Sequence, residues 1–498
     1  MSGIKSLVKD TAIYGLSSII GRFLNWCLAP LYTRLFLAPE YGEVTFIYSY
    51  VALALIILTY GMETGFFRFA NHDRWKDPMT VYSTALISLL VSSTAFVVIA
   101  LSFINPISEW LMCPANPSFA GMMIVCVAID AFLAMPYSYL RFRKRPFRFA
   151  GLRLVNIGLN IGFNLFFLLL CPWLLKVAPT TVSWFYDPSW GIGYIFLSNL
   201  LASAINLLMM LPELSGFKYV FNRKLLGEML RYSAPLLALG IAGILNQTLS
   251  NIIYPVLVAD QEAAQQALGI YGANYKIAMV MVMFIQAFRF AYEPFIFAES
   301  KNRGESQLQA YRDAMKYFVI FALVIFLGVM FYLDLLKYFI GPNYWEGLKI
   351  VPIIMMAELF FGIFFNLSLW YKLTDKTIWG MWFSFLGLAV TLGMNAWLIP
   401  VMGYMGCAIA AICCYAVMML ASYFVGRAKY PIAYPIGRIA LYFLFAAVIY
   451  VLGKYLCDTG NNVANGIIRF FLLCLFCGVV IKKENIPVLS LVSKLRRR

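Results

Sequence analysis

The chain holds one histidine, His72, among 498 residues, and only 12% of its residues are charged. A lone histidine removes the usual means of imidazole acid–base catalysis. Soluble domains carry about 25% charged residues, so a chain that is 62% hydrophobic reads as a polytopic membrane protein. No GxxxxGK[ST] phosphate loop occurs, which argues against ATP-driven pumping by this chain alone. Acidic residues are scarce, 23 against 39 Lys and Arg, for a formal charge of +16. Such a balance can signal nucleic-acid binding, but its placement, described below, explains it as membrane topology. The cysteines number ten, and Cys27, Cys126, Cys171, Cys407, Cys413, Cys414, Cys474 and Cys477 all lie in or at the ends of apolar spans. Buried cysteine behaves there as a small hydrophobe. Cys474 and Cys477 form a CxxC inside a span with no second pair nearby, so neither a metal nor a cofactor is expected. The first apolar span, about Thr11–Leu35, is longer than a signal-peptide core and lacks a small-residue cleavage pattern.

A helix needs about 20 apolar residues to cross the hydrocarbon. Runs of that kind predict about fourteen helices, at 11–35, 44–67, 81–104, 119–140, 150–172, 190–212, 233–259, 268–298, 314–336, 348–371, 377–399, 404–426, 436–456 and 463–481. Every second link is basic: Lys5 and Lys9 at the start, Arg141-Phe-Arg143-Lys144-Arg145, Lys218 with Arg223 and Lys224, Lys301 with Arg303, Arg427 with Lys429, and Arg496–Arg498 at the end. The alternate links carry Glu40, Glu43, Glu109, Asp187, Asp260, Glu262 and Asp458, with few basic residues such as Lys176 and Lys337. Positive residues stay inside, so both termini are expected to be cytoplasmic.

An internal repeat organises these helices. A shift of 225 residues carries Gly15 onto Gly240, Arg22 onto Gln247, Pro30 onto Pro255 and Tyr50 onto Tyr275 without a gap. A nearby offset pairs Asp130, central in the fourth span, with Glu358, central in the tenth. The predicted fold is therefore all-α, with two pseudo-symmetric six-helix lobes at 1–213 and 214–435, and two further helices and a basic tail at 436–498. Repeated halves around a midplane site are a recurring transporter plan.

Two spans between Tyr232 and Glu299 carry groups that hydrocarbon does not tolerate. Asn246, Gln247 and Asn251 interrupt the first; Lys276, Gln286, Arg289 and Glu293 interrupt the second. A charge at the bilayer centre costs roughly 2.5–3.5 kcal/mol on insertion scales, so such groups face a bundle interior or a wet cavity. This hairpin is expected to wall a polar path.

Three stretches, LYTRLFLAPEYGEVTFIYSY, YGMETGFFRFA with Gly61, Glu63 and Arg68, and GIYGANYKIAMVM…FRFAYEPFIF, resemble the polysaccharide flippases of the multidrug/oligosaccharidyl-lipid/polysaccharide exporter superfamily. Where relatives often carry an Asp-Arg pair late in the seventh span, this chain has Ser250-Asn251. The resemblance implies a non-enzymatic flippase that moves an undecaprenyl-diphosphate-linked oligosaccharide to the outer leaflet for cell-surface polysaccharide such as O-antigen, lipopolysaccharide or exopolysaccharide. It also implies contacts with membrane lipids and with polymerase and export proteins.

A diphosphate needs cations, and Arg supplies a planar bidentate fork. Arg22 lies about 16 Å into the first helix at 1.5 Å per residue, near mid-bilayer. It reads either as a diphosphate contact or as the structural partner of a buried acid such as Asp130. Arg289 reads as its counterpart in the second lobe. Lys276 is a third candidate or a snorkelling cation, and Arg68 is a fourth or a topology marker paired with Glu63. Asn25, Gln247, Asn251 and Gln286 are expected to line the cavity. Asp130 and Glu358 are candidates for ion coupling, or for fixed salt bridges to interior arginines. Asn156, Asn160 and Asn164 share one helix face and, with Gly158 and Gly162, read as a sugar-lining stripe or a close helix contact.

Two rival functions use the same spans. A multidrug or cation antiporter of the same superfamily favours acidic cavities, whereas the deep charges here are mainly basic. A membrane polysaccharide polymerase or glycosyltransferase needs acids or bases at a reacting bond, and the longest outer link, about Pro172–Pro188, offers only Asp187 and Lys176. The charge alternation predicts that single cysteines in the Arg141–Arg148 link and the Arg496–Arg498 tail are labelled from inside and those in Pro172–Pro188 from outside. Ends labelled from opposite sides would end the even helix count.

Overall fold

The computed structural model describes residues 15–17, 19–71, 75, 77–215, 218–299, 305–374, 376–456 and 460–484. His72, Lys301, Arg303, Asp458 and the Arg496–Arg498 tail lie outside them. Among the described residues the regular elements are all helical, and twelve helices are long and apolar enough to cross a membrane. Of the two expected spans not in that set, Gly193–Met209 has 17 residues, and 11–35 lies partly outside the described residues; within them a turn at Cys27–Leu28 precedes a new helix that holds Pro30 in its first turn.

The pieces that frame the centre are α1 (19–26), α2 (Ala29–Leu35), α3 (Ala38–Thr59) and α4 (Met62–Ala70), followed by α5 (Pro78–Ser102), α6 (Ile104–Trp110), α7 (Pro117–Phe142), α8 (Pro146–Leu165) and α9 (Gly193–Met209). The second half supplies α10 (Arg223–Leu257), α11 (Gln261–Glu299), α12 (Glu305–Phe331), α13 (Val351–Leu367), α14 (Ile378–Met402) and α15 (Tyr404–Lys429). Two more, α16 (Ile436–Val451) and α17 (Asn462–Lys483), close the chain.

Local chemistry sets the boundaries. Leu37 is extended, Pro39 occupies the first turn of α3, and the Glu40 carboxylate accepts the Leu37 N–H at 2.8 Å. Proline has no N–H to lose there, and the carboxylate satisfies an orphan donor. Tyr60 and Gly61 both adopt positive φ, 30° and 72°, which stops α3 and restarts the chain as α4. Asp77 caps α5 by accepting from the Met79 and Thr80 amides, and Asn222 caps α10 through Leu225 N–H.

The two halves meet through α1–α4 on one side and α10–α11 on the other, and at one end of the bundle they touch backbone to backbone. A Cβ on Gly42 would lie 1.8 Å from the Gln265 carbonyl oxygen, and one on Gly269 1.9 Å from that of Ala38. Glycine is required at such an approach because any side chain would occupy the neighbour's peptide. The segment after α12 reinforces the seal: Gly341 N–H donates to Thr33 Oγ1 at 3.1 Å, Tyr344 O–H to the Phe36 carbonyl at 2.9 Å and Arg34 to the Tyr338 carbonyl at 2.8 Å.

α16 and α17 are pinned to α12 at both ends. At one end Lys316 Nζ meets Glu484 Oε2 at 2.5 Å and the Tyr442 hydroxyl donates to Glu484 Oε1. Burial works against the Glu484 charge, yet Lys316 and Tyr442 hold its carboxyl below the usual range. At the other end Arg469 donates to Asp334 at 3.2 Å and to the Phe331 carbonyl at 3.0 Å.

Overpacking costs about 1–3 kcal/mol, so Gly42→Ala or Gly269→Ala is expected to prise the sealed end apart. Spin labels at the exposed Leu37 and Leu335 measure this directly: the variants should shift their separation to longer values, and an unchanged distribution would refute a glycine-dependent seal.

Candidate functional site

Around the break in the first span, five helical segments enclose a central cavity of about 390 Å³. Asn25 and Tyr32 reach it from α1 and α2; Tyr41, Thr45, Tyr48 and Ser49 from α3; Gln247, Thr248 and Asn251 from α10; Tyr271, Tyr275 and Lys276 from α11. Each half of the repeat thus contributes its opening pair of spans. Thr45, Tyr48 and Ser49 recur at helical spacing on one face of α3, as Tyr271 and Tyr275 do on α11.

The wall is amide, hydroxyl and phenol, with one cation and no carboxylate among its described residues. The Lys276 ammonium has no hydrogen-bond acceptor or ion-pair partner among the described residues. Its backbone is held, since Trp26 Nε1 donates to the Lys276 carbonyl at 2.6 Å while the Trp26 ring stacks on Phe339 with centroids 4.0 Å apart. Asn251 Nδ2 donates to Ser49 Oγ at 3.0 Å, a bond between the two halves across the cavity wall, and its Oδ1 is buried without a donor.

Arg22 sits one turn before Asn25 on α1 and so shares its face. It lies within electrostatic reach of Tyr275 and of Arg289; neither arginine is among the described lining residues of the cavity. Arg22 has no ion-pair or hydrogen-bond partner among the described residues; the alternative pairing with Asp130 is not what the structure contains. Arg289 lies over the Phe365 ring at 4.4 Å. Arg22 and Arg289 are like charges within electrostatic reach of one another, and an anion near both would reduce their repulsion.

Other expected residues lie off the wall. Gln286 is half-buried on α11, below the lining residues. Arg68 stands at the end of α4, its guanidinium 4.1 Å from the centre of the Tyr232 ring. Glu63 pairs with Arg141 at 2.6 Å and accepts from Ser138, so the expected Glu63–Arg68 pair is replaced by one between α4 and α7. Asn246 turns from the cavity into the α10–α14 contact, donating to the Ser384 carbonyl at 3.0 Å. Asn164 bonds Asn160 and accepts from Tyr32, whereas Gly158 and Gly162 have no neighbour within 4 Å. The asparagines therefore make the helix contact and the glycines do not.

The two acids stand behind the wall. Asp130 accepts from Ser203 Oγ at 2.8 Å and feels Arg153. Glu358, 5% exposed, accepts from the Tyr275 hydroxyl at 2.9 Å. Hydroxyl donors hold both carboxyls in place of the fixed salt bridges to Arg22 or Arg289. Sequence reasoning missed the tyrosines of the wall individually, although their helical spacing was there to read, and it missed Trp26 and Arg153.

The polysaccharide biosynthesis protein family model matches residues 7–298. The chain belongs to that family. Its fold is that of the superfamily's solved members. The lipid II flippase MurJ in an inward closed conformation is similar over 95% of this chain and 99% of its own, at 15% identity and a TM-score of 0.71. An inward-facing multidrug resistance transporter of the MATE family gives 0.65 at 14% identity over 84% of this chain and 98% of its own. A transporter of the same superfamily from Pyrococcus furiosus, described as having a binding pocket of reversed polarity, gives 0.59 at 14% identity over 86% and 98%. No curated protein matches the chain.

Proposed function

We propose that this family member is a flippase that carries an undecaprenyl-diphosphate-linked oligosaccharide from the cytoplasmic to the outer leaflet of a bacterial inner membrane, for cell-surface polysaccharide such as O-antigen, lipopolysaccharide or exopolysaccharide. The observation that carries the reading is the cavity itself: amides, hydroxyls and tyrosine faces suit sugars, and Lys276 on its wall, with Arg22 and Arg289 off the described lining, suits a diphosphate. A cationic drug would meet repulsion from these groups and no carboxylate on the described wall, which disfavours the multidrug reading. Translocation makes and breaks no covalent bond, so a polymerase or glycosyltransferase activity is not part of the proposal. The lobes 1–213 and 214–435 rock about the cavity, with 436–498 riding on the second, and both termini stay cytoplasmic. Lipid-linked sugar and membrane lipids are the partners, with polymerase and export proteins receiving the product.

In this scheme Arg22 and Arg289, one from each lobe, jointly hold the diphosphate. Charge-assisted hydrogen bonds are worth about 1.5–3 kcal/mol, so losing one arginine should weaken binding by roughly 10- to 150-fold. Arg22→Lys and Arg289→Lys keep charge but lose the planar fork and should stay impaired. Flipping of lipid-linked sugar by the alanine variants in proteoliposomes at the unaltered rate would rule the clamp out. Arg68, outside the described cavity wall, is assigned an entry contact.

Asp130 and Glu358 are the proposed coupling acids. Asp130→Asn and Glu358→Gln are each expected to remove the pH- or cation-dependence of transport while reaching the membrane in normal amount. Ion dependence that survives in both returns the acids to a structural role.

A further inference from the structure

We propose that the Tyr275 hydroxyl is a switch that ties anion occupancy of the central cavity to uptake of one proton at Glu358. The inference rests on the anion-carrying reading above and adds the atom that senses the anion. Tyr275 lines the cavity, yet its O–H points away from it, to a carboxylate behind the wall at 2.9 Å. Its ring also lies within electrostatic reach of Arg22. The phenol therefore stands between a cation suited to a phosphate and a buried acid.

A phenol has one proton to donate but an oxygen that also accepts. With the cavity empty, the O–H serves Glu358. With a diphosphate held by Arg22 and Lys276, the same O–H turns to a phosphate oxygen. Glu358 then loses the one hydrogen-bond donor that the described residues give it.

No nearby cation replaces that donor. The titratable groups facing Glu358 are Tyr271 and Tyr275 from α11 and Tyr415 from α15. The charged residues of α12, Asp313 and Lys316, are paired with each other and with Glu484. An unpaired buried ion costs several kcal/mol, so Glu358 takes a proton that the buffered solution supplies by way of the cavity, the buffer acid becoming its conjugate base. The new carboxylic O–H donates back to the Tyr275 oxygen. The Glu358–Tyr275 hydrogen bond thus survives with its direction reversed, no bond of the phenol breaks, and the net change is one proton bound per anion.

Calorimetry of inorganic pyrophosphate binding to the purified full-length protein, in two sodium-free buffers of different ionisation enthalpy, reads the protons taken up. Wild type is expected to take up about one proton more per pyrophosphate than Tyr275→Phe or Glu358→Gln. Tyr275→Phe should also bind more weakly, by roughly 2- to 13-fold for one hydrogen bond. Glu358→Gln imitates the protonated acid and should bind at least as tightly as wild type, with a flattened pH profile. The two variants report independently, so either alone decides the matter if the other does not fold. Equal proton uptake in wild type and variants that still bind pyrophosphate overturns the switch and leaves the anion reading standing. A wild type that binds no pyrophosphate overturns both.

Discussion

Hydrocarbon offers no partner to a charge or an amide, and that constraint arranges the polar groups of this chain. Some are satisfied at once by packing. Glu484 and Asp334 pin the last two helices to α12 through Lys316 and Arg469, and Asn246 and Asn395 join α10 to α14. Others converge on the central cavity, where the polar groups are left for a ligand to meet. The difference between these two sets separates scaffold from site.

The cavity exists because the halves are joined unequally along their length. Glycines at 42 and 269 bring backbone against backbone at one end, closer than any side chain allows. Farther along, α1, α3, α10 and α11 diverge around tyrosines, which need room but also tolerate a wet, half-polar wall. A backbone contact of this kind is short-range and separates as a unit, which suits a seal that must open and close. The contacts of α16 and α17 with α12 and the segment after it attach them to the second half.

Electrostatics then selects the cargo. Arg22 and Arg289 repel one another and Lys276 lacks a counter-ion among the described residues, while the acids nearest the site are withdrawn behind Tyr275 and Ser203. Such an arrangement is costly when empty and relieved by an anion. The family membership and the fold agree with a membrane flippase or transporter.

The all-helical membrane fold was legible in the chain because hydropathy and loop charge are local properties, read over about 20 residues at a time. The deep cations Arg22, Lys276 and Arg289 were legible for the same reason, since a charge inside an apolar run needs no partner in view to be conspicuous. Partners were another matter. That Glu63 meets Arg141 rather than Arg68, that Asp130 and Glu358 accept from hydroxyls, and that Gly42 and Gly269 touch the opposite half all join residues 73 or more positions apart. Such contacts depend on how helices rotate about their own axes, and apolar spans that are hydrophobic all round leave that rotation undetermined. The contact from Trp26, beside the turn at Cys27–Leu28, to the Lys276 carbonyl belongs to tertiary structure as well. Composition determined that the chain lies in the membrane and carries positive charge at its centre; only packing decided which of those charges face one another.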